Sequence, residues 1–170
     1  MIRYFFLALL LPMILVAQPS TTKMGHSEIV DVKGATAATL TTRAKDFMTL
    51  KRIESKTVGN TISGTGTFTV SYQSVKKGTE NGHVKFEIKL MVKDGKYKMD
   101  LTDFKHEGIQ GKSTGGSLDL EKPECGETQI TTAAWASIKE QAQAQLKAFV
   151  QELKTKMDHP AKKAPVNSDF

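Results

Sequence analysis

The sequence predicts an α+β fold in which an antiparallel sheet carries two helices on one face. Three patterns indicate it: two-residue alternation from Thr61 to Tyr72, further alternating segments around Asp94-Gly95, and apolar residues at helical spacing from Trp135 to Met157. With 170 residues, of which 39% are hydrophobic, the chain is long enough for one domain with a buried core. The expected order is strand, helix, four strands and a long final helix.

The first elements follow from local composition. The stretch HSEIVDVKG is rich in β-branched residues and closes on Gly34, which favours a strand. Thr36 is suited to cap the helix that comes next. The segment LKRIESKTVGN then predicts a more polar second strand that ends in a Gly59-Asn60 turn. The apolar face of the helix is formed by Ala37, Leu40, Ala44, Phe47 and Met48.

The third strand contains Gly64-Thr65-Gly66, which raises the question of a phosphate-binding loop. Such a loop lies between a strand and a helix N-terminus, whereas here the strand pattern continues on both sides, so a strand is favoured. Because glycine weakens a strand, we expect the final helix to lie close against Gly64 and Gly66. A cavity between sheet and helix is the alternative. The apolar face of the strand is Ile62, Gly64, Gly66, Phe68, Val70 and Tyr72.

The dipeptide Asp94-Gly95 predicts a tight turn that joins the fourth and fifth strands into a hairpin. The stretch SVKKGTENG before the fourth strand is expected to be an exposed polar loop. From about residue 107 to residue 130 the periodicity is lost, which predicts a loop insertion. The inward residues of the hairpin are Val84, Phe86, Ile88, Leu90, Val92, Tyr97, Met99 and Leu101.

The two ends of the chain are expected to lie outside the folded domain. Arg3 precedes an apolar run from Phe5 to Ala17, which predicts a cleaved signal peptide over residues 1–17. An uncleaved membrane anchor is the alternative. Residues 18–25 are expected to be a flexible leader. The last helix is expected from about Thr132 to Met157, roughly 39 Å at 1.5 Å per residue. Pro160 and Pro165 then predict a disordered tail over residues 158–170.

Charge and cysteine content narrow the function classes. The chain carries 24 Lys and Arg against 18 Asp and Glu, a formal net charge of +6. A basic balance can indicate nucleic acid or an anionic membrane, but an exported protein seldom meets nucleic acid, so nucleic acid is not expected as a partner. The single cysteine, Cys125, rules out an internal disulfide.

The chain resembles the exported bacterial family called "domain of unknown function with TBP-like fold", where TBP is the TATA-binding protein. The matching pieces are the signal and the stretches TLTTRAKDFMTL, SGTGTFTV and FEIKLMVKDGKYKMDLTDF, which together span His26 to about His106. Family members often have a Trp near the end of the first helix, where this chain has Phe47. The resemblance implies export and a TBP-like β-α-β-β-β-β-α domain over residues 26–157. It implies no activity, because the family has none assigned.

No residue pattern predicts an enzyme. None of the four histidines, His26, His83, His106 and His159, lies in a recognisable nucleophile or metal motif. No catalytic residue, metal site or cofactor is therefore predicted, and a hydrolase is the least favoured hypothesis. In TBP the sheet face grips DNA with apolar wedges, but the corresponding face here has no aromatic side chains.

A non-catalytic binding or interaction module in the bacterial envelope, periplasmic or secreted, is the favoured function. The expected partner is an envelope protein or a glycan, or a second copy of the chain. The predicted interaction face is the polar side of the sheet, with Thr65, Thr67, Thr69, Lys85, Lys89 and Lys98. The alternative is a carrier of a small apolar molecule between sheet and final helix. Its predicted cavity lining is Gly64, Gly66, Phe68, Phe86, Trp135 and Leu146.

Overall fold

The structure, a computed structural model, describes residues 23–75, 78–109 and 113–158. The α+β prediction is confirmed: one antiparallel sheet of six strands carries two helices, and the strand order is β1-β5-β4-β3-β2 with β6 paired to β5. The helices are α1 Ala37–Leu50 and α2 Thr132–Asp158. The strands are β1 His26–Asp31, β2 Ser55–Val58, β3 Thr61–Ser74, β4 Gly78–Lys93, β5 Lys96–Gly108 and β6 Gly116–Ser117.

The predicted signal peptide and most of the predicted leader and tail lie outside the described residues. At the inner end of the leader, the Met24 amide donates a 2.7 Å hydrogen bond to Asp119 Oδ1. None of the helices within the described ranges combines the length and apolar character needed to cross a membrane.

Both helices follow their predicted faces. The Thr39 amide donates to Thr36 Oγ1 over 3.2 Å, which confirms Thr36 as the N-cap of α1. The buried side of α1 is Leu40, Ala44, Phe47 and Met48. In α2 the apolar residues at helical spacing from Trp135 to Met157 are all buried, and Trp135 is only 1% exposed. Helical periodicity therefore identified the residues that pack on the sheet.

Two predictions around the strands are wrong. The stretch SVKKGTENG is mostly strand, because β3 runs to Ser74 and β4 begins at Gly78. Polar side chains pair across the exposed face of these ends: Ser71 Oγ donates to Asn81 Oδ1 over 2.6 Å, and Gln73 Nε2 donates to Thr79 Oγ1 over 2.9 Å. These pairs help to stabilise the ladder. The second strand is also shorter than predicted, because α1 continues to Leu50 and Arg52 turns the chain with a φ of 55°.

A β-bulge interrupts the alternation of β5. Lys85 pairs with Lys105 but Glu87 pairs with Thr102, so β5 has one extra residue, next to Asp103 with its φ of 58°. Inward positions therefore pass from Leu101 to Phe104, and β5 continues to Gly108, inside the predicted insertion. The short strand β6 pairs with β5 through Ser117 and Gly116, also inside the predicted insertion.

The bulge divides the sheet into two halves. The hairpin half contains β1, β2, β3 up to residue 66, β4 from residue 87 and β5 up to residue 101, and it ends at the Asp94-Gly95 turn. The loop half contains the other ends of β3, β4 and β5, β6, and the segment 113–131 that leads into α2. Helix α1 packs on β3 and β4, while α2 packs on β3 and α1.

Candidate functional site

The face of the sheet opposite the helices is open to solvent. Along β3 and β4 the buried and exposed positions alternate, so the threonines of β3 lie on the exposed side. Thr67 pairs in register with Lys85, and Thr65 Oγ1 donates to Glu87 Oε1 over 2.9 Å. The structure brings the whole predicted interaction face together on this one surface, namely Thr65, Thr67, Thr69, Lys85, Lys89 and Lys98.

Part of the charge on the open face is paired. Lys85 lies 2.7 Å from Glu107, Lys98 lies 3.0 Å from Asp100, and both pairs are partly exposed, so each contributes little stability. Burial opposes ionisation of Asp100, but hydrogen bonds from Ser27 and Lys98 outweigh it and hold the pKa of this carboxyl below its ordinary value. The face is therefore a mixed polar surface with a surplus of lysine.

The predicted cavity does not form as one space. A pocket of about 220 Å³ opens between the end of α1, the edge of β3 and α2, and it is bordered by Phe68 and Phe86 of the predicted lining. Phe149 of α2 completes its aromatic wall, with its ring centroid 5.4 Å from that of Phe86. Leu146 and Trp135 are buried and do not border this pocket.

The prediction that the final helix lies against the two glycines is wrong, although the close contact that it rests on exists. A Cβ on Gly66 would lie 2.3 Å from Phe86 Cζ, because the Phe86 ring on the neighbouring strand covers the glycine. A Cβ on Gly64 would lie 2.6 Å from the Glu54 carbonyl oxygen and 2.8 Å from Ile53 Cγ2. The close neighbours are thus an adjacent strand and the α1–β2 connection.

The residue that sequence reasoning missed is His106, the buried polar residue of the core, with no exposed surface. Its Nδ1 accepts a 3.1 Å hydrogen bond from the Gly115 amide, while its Nε2 faces Gly82, where a Cβ would lie only 2.3 Å away. This Nε2 is buried without a partner among the described residues. Burial, helped by the neighbouring His83, lowers the pKa of His106 to about 4.

Polar and aromatic side chains surround His106. The ring centroids of Tyr72 and Trp135 lie 5.3 and 6.1 Å from that of His106, both edge to face. Burial and the carboxylate of Glu80 raise the pKa of Tyr72 to about 12. Burial also raises the pKa of the Cys125 thiol, which disfavours the reactive thiolate. The cluster thus holds its titratable groups in their neutral forms.

The remaining histidines do not assemble a site. His26 Nε2 lies 2.9 Å from Glu28 Oε2 at the start of β1, and His159 lies outside the described residues. Within the described part of the chain, no three His, Cys, Asp or Glu side chains are grouped so as to hold a metal ion.

The comparisons with known proteins agree with this architecture. Residues 26–107 match the model of the family described as "Domain of unknown function (DUF4468) with TBP-like fold". A crystal structure of a DUF4468 family protein from Bacteroides ovatus has a TM-score of 0.60 at 10% identity, covering 86% of this chain and 92% of the other. A TBP-like protein from Parabacteroides distasonis also has a TM-score of 0.60, at 9% identity, covering 85% and 97%. At such identities these structures support the fold alone. The curated proteins include none that matches the sequence.

Proposed function

Residues 26–107 of the chain belong to the DUF4468 family with TBP-like fold, and from this premise we propose that the protein is an exported, non-catalytic module that binds a component of the bacterial envelope. The family has no enzymatic name. The observation that carries the proposal is the open sheet face, because both helices pack on the other face and leave a broad surface of threonine and lysine in solvent. The working surface is this open face.

Envelope-specific protection of the face lysines tests the proposal. Acetylation of lysines in isolated envelopes is compared with acetylation of the purified protein. We expect Lys89 and Lys98 to be protected in the envelope, whereas the exposed Lys45 and Lys147, on the helices, react equally in both samples. Equal reactivity of all four lysines in both samples would contradict binding through the open face.

Export rests on the basic start and the apolar run that ends at Ala17. N-terminal sequencing of the protein from its host should begin at or within a few residues of Gln18. A full-length chain held in the inner membrane would contradict a cleaved signal peptide.

A carrier of a small apolar molecule is the second candidate, and the 220 Å³ pocket beside Phe68, Phe86 and Phe149 favours it. Its aromatic wall would suit a compact apolar ligand. Native mass spectrometry of protein from the host envelope should then show a bound small molecule. Ala148→Phe, at the pocket, should remove that mass, whereas Ala144→Phe, exposed on the same helix and away from the pocket, should keep it.

A further inference from the structure

Three aliphatic side chains form a row across strands β1 to β5 in the hairpin half of the open face. In strand register Ile29 lies beside Lys98, Lys98 beside Met91, Met91 beside Thr61, and Thr61 beside Val58. Ile29 is 65% exposed and Val58 is 66% exposed. The row therefore exposes three apolar side chains, separated by Lys98 and Thr61, on a face that neither described helix covers.

Lysines surround this apolar row. Lys93 and Lys96 face each other beside the Asp94-Gly95 turn, at a position where like charges repel. The carboxylates in the same part of the face are Asp31, Glu87 and Asp100; Asp100 is engaged by Lys98, and Glu87 accepts from Thr65 Oγ1. Within the described residues, the lysines of this surface other than Lys98 make no ion pair. The lysines are Lys56, Lys89, Lys93, Lys96 and Lys98.

We propose that the hairpin half of the open face docks on an anionic membrane surface. Ile29, Val58 and Met91 enter the headgroup region, and the lysines reach lipid phosphates. Lysine stems lie along apolar surface while their ammonium groups extend to charged headgroups, so this combination of residues suits an interface. A shallow depression of about 490 Å³ along the row, between Ile29 and Asn60, gives headgroups room to enter. The inference rests on the proposed function, in which the open face is the working surface.

Other occupants fit this surface less well. Protein interfaces gain most of their affinity from buried Trp, Tyr and Arg, and the outward positions of β1 to β5 hold none of these. A glycan would lack aromatic rings on which its sugars stack. A second copy, docked about a two-fold axis, would bring the two lysine clusters together, and their repulsion opposes that contact.

Vesicle co-sedimentation tests whether the protein binds an anionic membrane surface. The protein is recovered from its host's envelope, in the form that N-terminal sequencing finds, and mixed with vesicles of phosphatidylcholine alone or with phosphatidylglycerol. Each lysine near an anionic surface contributes about fivefold in affinity. With five lysines against three carboxylates, we expect the anionic vesicles to bind roughly 25-fold more tightly. Equal binding to both vesicle types would overturn the proposal.

Two lysine pairs give a matched comparison. Lys93→Gln with Lys96→Gln should lower the affinity for anionic vesicles by about 25-fold. The control is Lys85→Gln with Lys105→Gln, which removes another opposed pair of lysines between β4 and β5, but from the loop half. It should cost less than about fivefold, because these lysines lie away from the apolar row and pair with Glu107 and Asp103.

The apolar row is tested separately. Ile29→Ser with Val58→Ser should lower the affinity for anionic vesicles by at least about tenfold, with the urea midpoint unchanged. Equal losses for the two lysine pairs, or no loss for the serine variant, would overturn membrane docking. If the open-face lysines are nevertheless protected from acetylation in the envelope, the proposed function stands and the membrane is the wrong occupant. If that protection is also absent, both fail.

Discussion

The two halves of the sheet bury different kinds of side chain on their inward face. In the hairpin half, aliphatic side chains such as Ile62, Ile88 and Leu90 pack beneath α1 with no exposed surface. In the loop half, the rings of His106 and Trp135 fit against glycine backbone. An aliphatic core tolerates small changes of shape, whereas rings fitted against glycines have no spare volume. The stability of the loop half therefore depends on a few specific contacts.

Trp135→Ala should have the largest effect on stability. It removes a ring that is 1% exposed and whose Nε1 donates to the Leu120 carbonyl over 3.1 Å. We expect a loss of about 3–5 kcal/mol in the free energy of unfolding, measured by urea denaturation. Hydrogen exchange at Gly115 and Leu118 should also accelerate, because Trp135 holds that segment on the sheet.

The matched control for Trp135 is Met48→Ala in α1, whose side chain packs beside Gly64 of the hairpin half. Met48 is fully buried, so the variant should also lose stability, but Gly115 and Leu118 should keep their protection. A cost below about 1 kcal/mol for Trp135→Ala, or equal loss of protection in both variants, would contradict the contrast between the halves.

Lowering the pH should reduce the free energy of unfolding through protonation of His106. The folded state holds this imidazole neutral, with a pKa of about 4, whereas an unfolded histidine titrates near pH 6.5. The unfolded chain therefore takes up a proton first as the pH falls. The stability contributed by His106 is complete above about pH 6.5 and declines towards pH 4, by about 3 kcal/mol.

Urea midpoints measured between pH 7 and pH 4 check this. His106→Asn should be less stable at pH 7, because it leaves space in the core, but it should lack most of the additional loss in acid. His26→Gln, at the partly exposed start of β1, should keep that loss. An identical pH profile for wild type and His106→Asn would show that His106 is not held neutral by the fold.

Gly66→Val tests the packing between the halves. The new Cβ would overlap the Phe86 ring, which is stacked on Phe104 with centroids 5.1 Å apart and has little room to move. We expect a cost of about 1–3 kcal/mol, reduced by the better strand propensity of valine. Thr67→Val places the same side chain one residue later on the open face, and it should change stability by less than about 0.5 kcal/mol.

A second variant identifies the cause of the Gly66→Val effect. Phe86→Leu removes the obstructing ring, so Gly66→Val should cost less in that background than in wild type. Additive costs would place the obstruction elsewhere. Equal urea midpoints for Gly66→Val and Thr67→Val would mean that Gly66 is not closely covered.

The fold could be predicted because alternation and helical spacing report directly which side chains are buried. Those periods gave the right faces for α1, α2 and the hairpin half. The bulge could not be predicted, since one extra residue beside Asp103 leaves no periodic signal and shifts every later position of β5. His106 was missed for that reason. The neighbours of Gly64 and Gly66 were also out of reach, because a glycine indicates close approach without naming the partner.

The edge of β3 in the loop half provides the last and smallest expected effect. Beyond β2, no strand of the described residues pairs with this edge, and a single bridge joins Ser74 to Ile130. Helix α2 covers the edge with glutamine side chains: Gln141 accepts from the Ser71 amide over 3.0 Å and donates to the Ser71 carbonyl over 2.7 Å. Gln145 donates to the Thr69 carbonyl over 2.8 Å. Because an uncovered strand edge can pair with another chain, these glutamines protect it.

Gln141→Ala should therefore cost about 1 kcal/mol, since it removes two exposed hydrogen bonds to Ser71 and one to Ser137 Oγ, while alanine slightly favours the helix. Gln151→Ala is the control, because Gln151 is an exposed glutamine of the same helix whose side chain makes no hydrogen bond within the described residues. It should leave stability unchanged or slightly raised.

The sharper readout is light scattering on prolonged incubation near the urea midpoint. Only Gln141→Ala should associate faster than wild type, because it alone frees the Ser71 amide and carbonyl for another strand. If both variants associate at the wild-type rate, the glutamines contribute helix surface and no protection of the edge.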